Sequence, residues 1–208
     1  MPKTVEVPDY PVASSVTIAP TRTALLIVDM QNDFVDAKGA LSVPGAAATV
    51  PVIRRLIDWA RAAGVAVMYT QDTHQAGDPE WSIWPKHVER GTWGWEIVDA
   101  LRPAPGDQVF EKARYDGFYN TGLDAELRRR GIDTLVICGT VASICVHYTA
   151  ASAGLRWYRV IHPIDALSAL TSFDMESALR QASFLFQATL TRSEALIAGE
   201  APGSGPPA

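Results

Sequence analysis

Apolar positions along this chain fall into two alternating patterns. Short unbroken runs, five residues in Ala24–Val28 (ALLIV) and five in Thr134–Cys138 (TLVIC), have the character of parallel strands buried on both faces. Between such runs the period changes to that of a helix. In Ala47–Ala63 the apolar positions Val52, Leu56, Trp59 and Ala63 share one face, and Gly64 follows as a stop signal. The same reading predicts strands over Val65–Thr70, Gln108–Glu111, Tyr158–His162 and Ala188–Leu190. It predicts helices over Leu123–Arg130, Ile144–Ala153 and Met175–Phe184, the first two stopped by Gly131 and Gly154. Repeated strand–helix units predict an α/β fold, a three-layer αβα sandwich around a parallel, Rossmann-like sheet of about six strands. Such sheets bind ligands beyond the carboxyl ends of their strands.

Composition narrows the picture. A chain of 208 residues with 48% apolar residues is long enough for one α/β domain and its core. Lys plus Arg number 18 and Asp plus Glu 23, a net charge of −5, which argues against a nucleic-acid partner. No apolar run approaches the roughly 18 residues needed to cross a membrane, and the start carries no signal-peptide pattern. Two cysteines, Cys138 and Cys145, exclude a disulfide scaffold and suit a reducing cytoplasm. The proline-bearing residues 1–20 read as an N-terminal extension and residues 199–208 (GEAPGSGPPA) as a disordered tail, leaving 21–198 as the domain.

Reactive residues gather just after the predicted strands: Asp29, then Asp72 and His74, then Lys112, then Cys145. Each alone has a bland reading, as a turn cap, a surface lysine or a buried thiol. Cys145 follows a small-residue turn into a helix, with Ser143 as the expected N-cap. In the first helical turn, free N–H groups and the dipole would stabilise a thiolate or an oxyanion. His147 is rejected as its base, because two residues along a helix is about 200° around the axis. Asp72, His74 and His87 offer one carboxylate and two imidazoles, a set suited to zinc, iron or manganese. Trp81, Trp84, Trp93 and Trp95 crowd the same stretch, as packing or as an aromatic wall for a flat substrate.

These residues match a known pattern. Val28-Asp29-Met30-Gln31-Asn32-Asp33-Phe34 and Gly39-Ala40-Leu41-Ser42-Val43-Pro44-Gly45 resemble the opening of nicotinamidases, in the isochorismatase-like cysteine hydrolase superfamily. Phe110-Glu111-Lys112 with Tyr115 and Phe118 resembles the superfamily's lysine segment, and Gly139 through Val146 its nucleophile turn. Trp84-Pro85-Lys86-His87 resembles the segment carrying a metal histidine. The resemblance implies a catalytic triad of Asp29, Lys112 and Cys145. It implies a cis peptide between Thr140 and Val141, with the N–H groups of Val141 and Cys145 as oxyanion hole. It further implies a divalent metal on Asp72, His74 and His87, a substrate ring between Phe34 and Trp84, no organic cofactor, and a homo-oligomer.

The implied activity is hydrolysis of a small planar amide through a thioester, with nicotinamide first. A ureido, carbamoyl or maleamate-type amide is the alternative within the class, and a catalytically inactive binding module the alternative outside it. Three departures from the nicotinamidase pattern bear on substrate. The further histidine that some members place between His74 and His87 is missing. Val88 stands where cysteine is frequent, and Ala142-Ser143 where Thr-Asp or Thr-Asn is common.

Overall fold

The computed structural model describes residues 4–199. Of the expected disordered tail, residues 200–208 lie outside this range. Eight parallel strands form one sheet: β1 (Val12–Ala13), β2 (Thr23–Val28), β3 (Ala66–Asp72), β4 (Gln108–Lys112), β5 (Thr134–Thr140), β6 (Arg159–Pro163), β7 (Leu167–Ser168) and β8 (Thr189–Thr191). Their spatial order is β1-β8-β6-β5-β2-β3-β4, with β7 on the end of β5. The expected α/β sandwich is present with eight strands rather than six. The two additional strands are two residues long, too short to show any alternation in sequence. Val12 and Ala13 pair with Leu190 and Thr191, so the N-terminal segment closes the sheet edge.

Alternation along β2 shows why the apolar runs are unbroken. Leu25 and Ile27 pack on the face covered by α2 (Ala46–Ala63), against its Ile53, Leu56, Ile57 and Ala60. Ala24, Leu26 and Val28 pack on the opposite face. That face is covered by α3 (Leu123–Arg129), α4 (Cys145–Leu155) and α5 (Ser172–Leu185). A strand buried on both sides has no solvent face on which to place polar residues. Two further helices, α1 (Asn32–Val35) and α6 (Ser193–Ala198), were not legible in the pattern because each is under two turns long. α5 begins three residues before the expected Met175, where the Thr171 hydroxyl accepts the Asp174 N–H at 3.1 Å.

The chain winds outward in both directions from β2, which pairs with β3 on one side and β5 on the other. The switch point therefore lies at the carboxyl ends of β2 and β5. Register does the rest: Val28 aligns with Thr70 and with Gly139, and Asp72 with Lys112. Asp29, Asp72, Lys112 and the start of α4 are thus held at one rim.

The close approach of β2 and β5 depends on Gly139. Its φ is +116°, and a Cβ there would lie 2.2 Å from the Val28 carbonyl oxygen. Gly139→Ala is expected to destabilise the protein by more than about 2 kcal/mol, read as a lower urea midpoint. An unchanged midpoint would contradict this packing.

Candidate active site

Three expected residues meet at the rim. Asp29, immediately past β2, has φ +51° and is fully buried. Its Oδ1 accepts the Thr70 hydroxyl at 2.7 Å, and its Oδ2 lies 2.7 Å from Lys112 Nζ. The same ammonium is 3.3 Å from Asp72 Oδ1 and 3.6 Å from Cys145 Sγ. Lys112 closes β4 and is 3% exposed. Burial opposes its charge, but Asp29 and Asp72 outweigh burial and hold it well above the ordinary lysine range. Burial pushes the Asp29 carboxyl up, against the pull of Lys112. Asp72 ends below the ordinary range because Lys112 and His74 overcome its burial.

Cys145 lies in the first turn of α4, as expected, but as its first residue, because Ser143 does not cap the helix. The N-cap is Ile144, and no side chain caps it. The ionisation also differs from the expectation of a stabilised thiolate. Burial pushes the Cys145 thiol well above its usual range; Lys112 pulls it down, while Asp29 and Asp72 push it up. That direction favours the thiol over the thiolate, with Asp29 as the neighbouring group that can take its proton.

Thr140–Val141 is the cis peptide. Among the described residues, no protein group accepts a hydrogen bond from the N–H of Val141 or of Cys145, so two donors stand free beside the thiol. Around them, Phe34, Leu41, Val43, Trp84, Tyr115, Ile144 and Leu170 line a narrow cleft, and Asp72, Glu80 and His87 line its polar side. Among the described residues no Lys or Arg lines it. Of the four tryptophans only Trp84 does, with Nε1–H donating to the Tyr115 hydroxyl at 2.9 Å. Trp95 and Trp81 serve as packing: Trp95 Nε1–H donates to Thr73 and Trp81 Nε1–H to the His87 carbonyl. Trp93 is 51% exposed.

Beside the thiol sits the expected metal set, enlarged by one. One ligand atom each from Asp72, His74, Glu80 and His87 lies within 4.8 Å of the others, and all four residues are buried. Both imidazoles have their tautomer fixed by acceptor-only partners. His74 Nδ1 is 3.0 Å from Asp78 Oδ2, and His87 Nδ1 is 2.7 Å from the Pro85 carbonyl. Each Nδ1 therefore carries a proton, which makes Nε2 the nitrogen that a neutral ring would offer to a metal. His74 Nε2 is buried without a hydrogen-bond partner. An unpartnered nitrogen of this kind, in a set of two imidazoles and two carboxylates, fits a divalent transition metal.

Sequence reasoning missed Glu80, Gln31, Thr70 and Asp33. Glu80 lies between the two histidines in the 3-10 turn Pro79–Ser82. Its signal was that position, since a carboxylate flanked by two candidate ligands can take the place of a further histidine. Gln31 holds both sides of Asp72: its Nε2 donates to the Asp72 carbonyl and its Oε1 accepts the Asp72 N–H, each at 2.8 Å. Asp33 accepts from the N–H groups of Ala40 and Val88, so Val88 serves through its backbone and does not line the cleft.

The chain is similar to several known proteins. Ureidoacrylate amidohydrolase RutB of Agrobacterium fabrum is 38% identical over 165 residues, 66% of this chain and 72% of that protein. The crystal structure of N-carbamoylsarcosine amidase from Thermoplasma acidophilum superposes with a TM-score of 0.77 at 41% identity, covering 88% of this chain and 99% of that one. Pyrazinamidase of Pyrococcus horikoshii in complex with zinc gives a TM-score of 0.78 at 28% identity, covering 82% and 99%. The isochorismatase domain family model matches residues 23–195. By sequence, fold and the motifs gathered at the rim, the chain belongs to the isochorismatase domain family, within the isochorismatase-like cysteine hydrolases.

Proposed function

We propose that this protein is a cysteine amidohydrolase acting on a ureido or carbamoyl amide of a small molecule. The observation that carries the chemistry is Lys112 Nζ, 2.7 Å from Asp29 and 3.6 Å from Cys145, which lines the cleft. Asp29 takes the thiol proton as Sγ bonds to the amide carbon and the carbonyl pair moves onto oxygen. The free N–H groups of Val141 and Cys145 receive that oxyanion. Lys112 stays protonated and offsets the negative charge passing between Cys145 and Asp29. Collapse breaks the C–N bond, and Asp29 returns the proton to the leaving amine. Water then attacks the carbonyl carbon of the S-linked intermediate, a thiocarbamate for a ureido or carbamoyl substrate and a thioester for a carboxamide, and gives a proton to Asp29. The C–S bond breaks, and the proton returns to sulfur.

The substrate order reverses the one implied by the motifs, which put nicotinamide first. Relatives named for ureidoacrylate and N-carbamoylsarcosine are 38% and 41% identical to this chain, against 28% for the pyrazinamidase. Asp29, Lys112 and Cys145 serve amide cleavage in general, so motifs built on them do not separate substrates; the loops 75–95 and 114–120 do. Nicotinamide remains the second reading on one observation, the cluster of Asp72, His74, Glu80 and His87 in a cleft with Phe34 and Trp84. A divalent ion on those four residues would supply a Lewis acid toward a substrate lone pair. Phe34 and Trp84 supply apolar walls that orient a flat substrate and exclude water. Self-association belongs to the same proposal, since Leu155, Trp157, Phe173 and Phe184 are exposed apolar side chains.

Ammonia release from a panel of N-carbamoyl, ureido and pyridine amides, with and without a chelator, tests this assignment. Release is expected from a carbamoyl or ureido substrate. Release confined to nicotinamide and abolished by the chelator would instead establish the second reading. Cys145→Ala is expected to lower kcat by at least about 10⁴-fold without unfolding, and a fully active variant would end the mechanism. The raised thiol predicts that alkylation of Cys145 in the free, chelated enzyme speeds up about tenfold per pH unit through about pH 8.5, the ordinary thiol value. A rate plateau below that pH would show a resting thiolate.

A further inference from the structure

Asp78 is not one of the four clustered donors, yet it touches two of them. Its Oδ2 is 3.0 Å from His74 Nδ1, and its Oδ1 accepts the Glu80 N–H at 2.9 Å. The first contact holds a proton on His74 Nδ1, because a carboxylate can only accept, and so turns Nε2 toward the cluster as its ligating nitrogen. The second fixes the backbone that carries the Glu80 side chain. Arg114 grips the same carboxylate from the opposite wall, with Nη1 3.1 and 3.2 Å from its two oxygens and 3.8 Å from Glu80 Oε2. Arg114 lies between Lys112 and Tyr115 in sequence, and the Thr73 N–H donates to the Lys112 carbonyl at 2.7 Å. The two loops that flank the cluster are joined through these contacts.

We propose that Asp78, clamped by Arg114, is a positioning residue that sets the divalent-metal affinity of the Asp72–His74–Glu80–His87 cluster. The inference rests on the metal reading above and adds to it a residue that never touches the ion. Asp78→Asn makes a sharp test because the amide keeps the shape but offers one oxygen instead of two. If the amide oxygen faces His74, the Glu80 N–H loses its acceptor. If the amide nitrogen faces His74, Nδ1 must become the acceptor and the proton moves to Nε2, where it blocks the ligating lone pair. Either way Arg114 loses its anion.

The experiment is zinc titration of chelator-stripped full chain against a chromophoric competitor, for wild type, Asp78→Asn and Arg114→Gln. Apo melting temperatures and the His74 tautomer by nitrogen NMR are measured alongside. Asp78→Asn is expected to raise the zinc Kd about 10- to 100-fold, with a smaller rise in the same direction for the half-exposed Arg114→Gln. The apo melting temperature should move little, and His74 should lose its Nδ1–H population or Glu80 its ordered backbone. Wild-type zinc affinity in both variants would overturn the proposal alone, and a lower apo melting temperature with unchanged affinity would assign Asp78 to loop stability only. A wild type that binds no zinc would overturn the metal reading and this inference together.

Discussion

The Lys112 ammonium, buried between the carboxylates of Asp29 and Asp72, is the contact on which the rest of the site depends. Removing one partner from a buried ion pair typically costs about 3–5 kcal/mol, because the remaining charge is left uncompensated. The surrounding structure holds all three groups. Pairing of Asp72 with Lys112 in β3 and β4 fixes two of them in one register. Thr70 and the β2 terminus fix Asp29, and Gln31 pins Asp72 through its backbone on both sides. The apolar core beneath, split between the two faces of β2, keeps the strands in that register.

Two carboxylates around one ammonium leave a surplus of negative charge. Burial, with that surplus, pushes the Cys145 thiol above its usual range although it opens a helix beside a lysine. Asp72 is shared: its Oδ1 faces Lys112 at 3.3 Å, and its Oδ2 lies 3.4 Å from His74 Nε2. The Lys112–Cys145 region and the four-donor cluster are therefore one electrostatic system, and the cleft is lined by residues of both.

Much of this was legible in the chain. The runs Ala24–Val28 and Thr134–Cys138 announce strands buried on both faces, because full burial demands unbroken apolar side chains. The placement of Asp29, Asp72, His74, Lys112 and Cys145 after strands announces a shared rim, because parallel strands all end on the same side. What escaped was short or contact-dependent. Val12–Ala13 and Leu167–Ser168 contain no period to detect. Glu80 and Asp78 look like ordinary loop acids until folding brings one to His74 Nε2 and the other to His74 Nδ1.

The sequence by itself determined the layered α/β architecture, the family and the set of reactive residue types. These follow from hydrophobic periodicity and from side-chain chemistry, both local properties of the chain. Only the tertiary structure decided the burial and charges around Cys145, the four-membered donor set and the contacts of Gln31, Asp33 and Asp78. Burial and electrostatic interaction depend on distances of a few ångströms between residues up to 116 positions apart, as Asp29 and Cys145 are, and no local pattern carries that information.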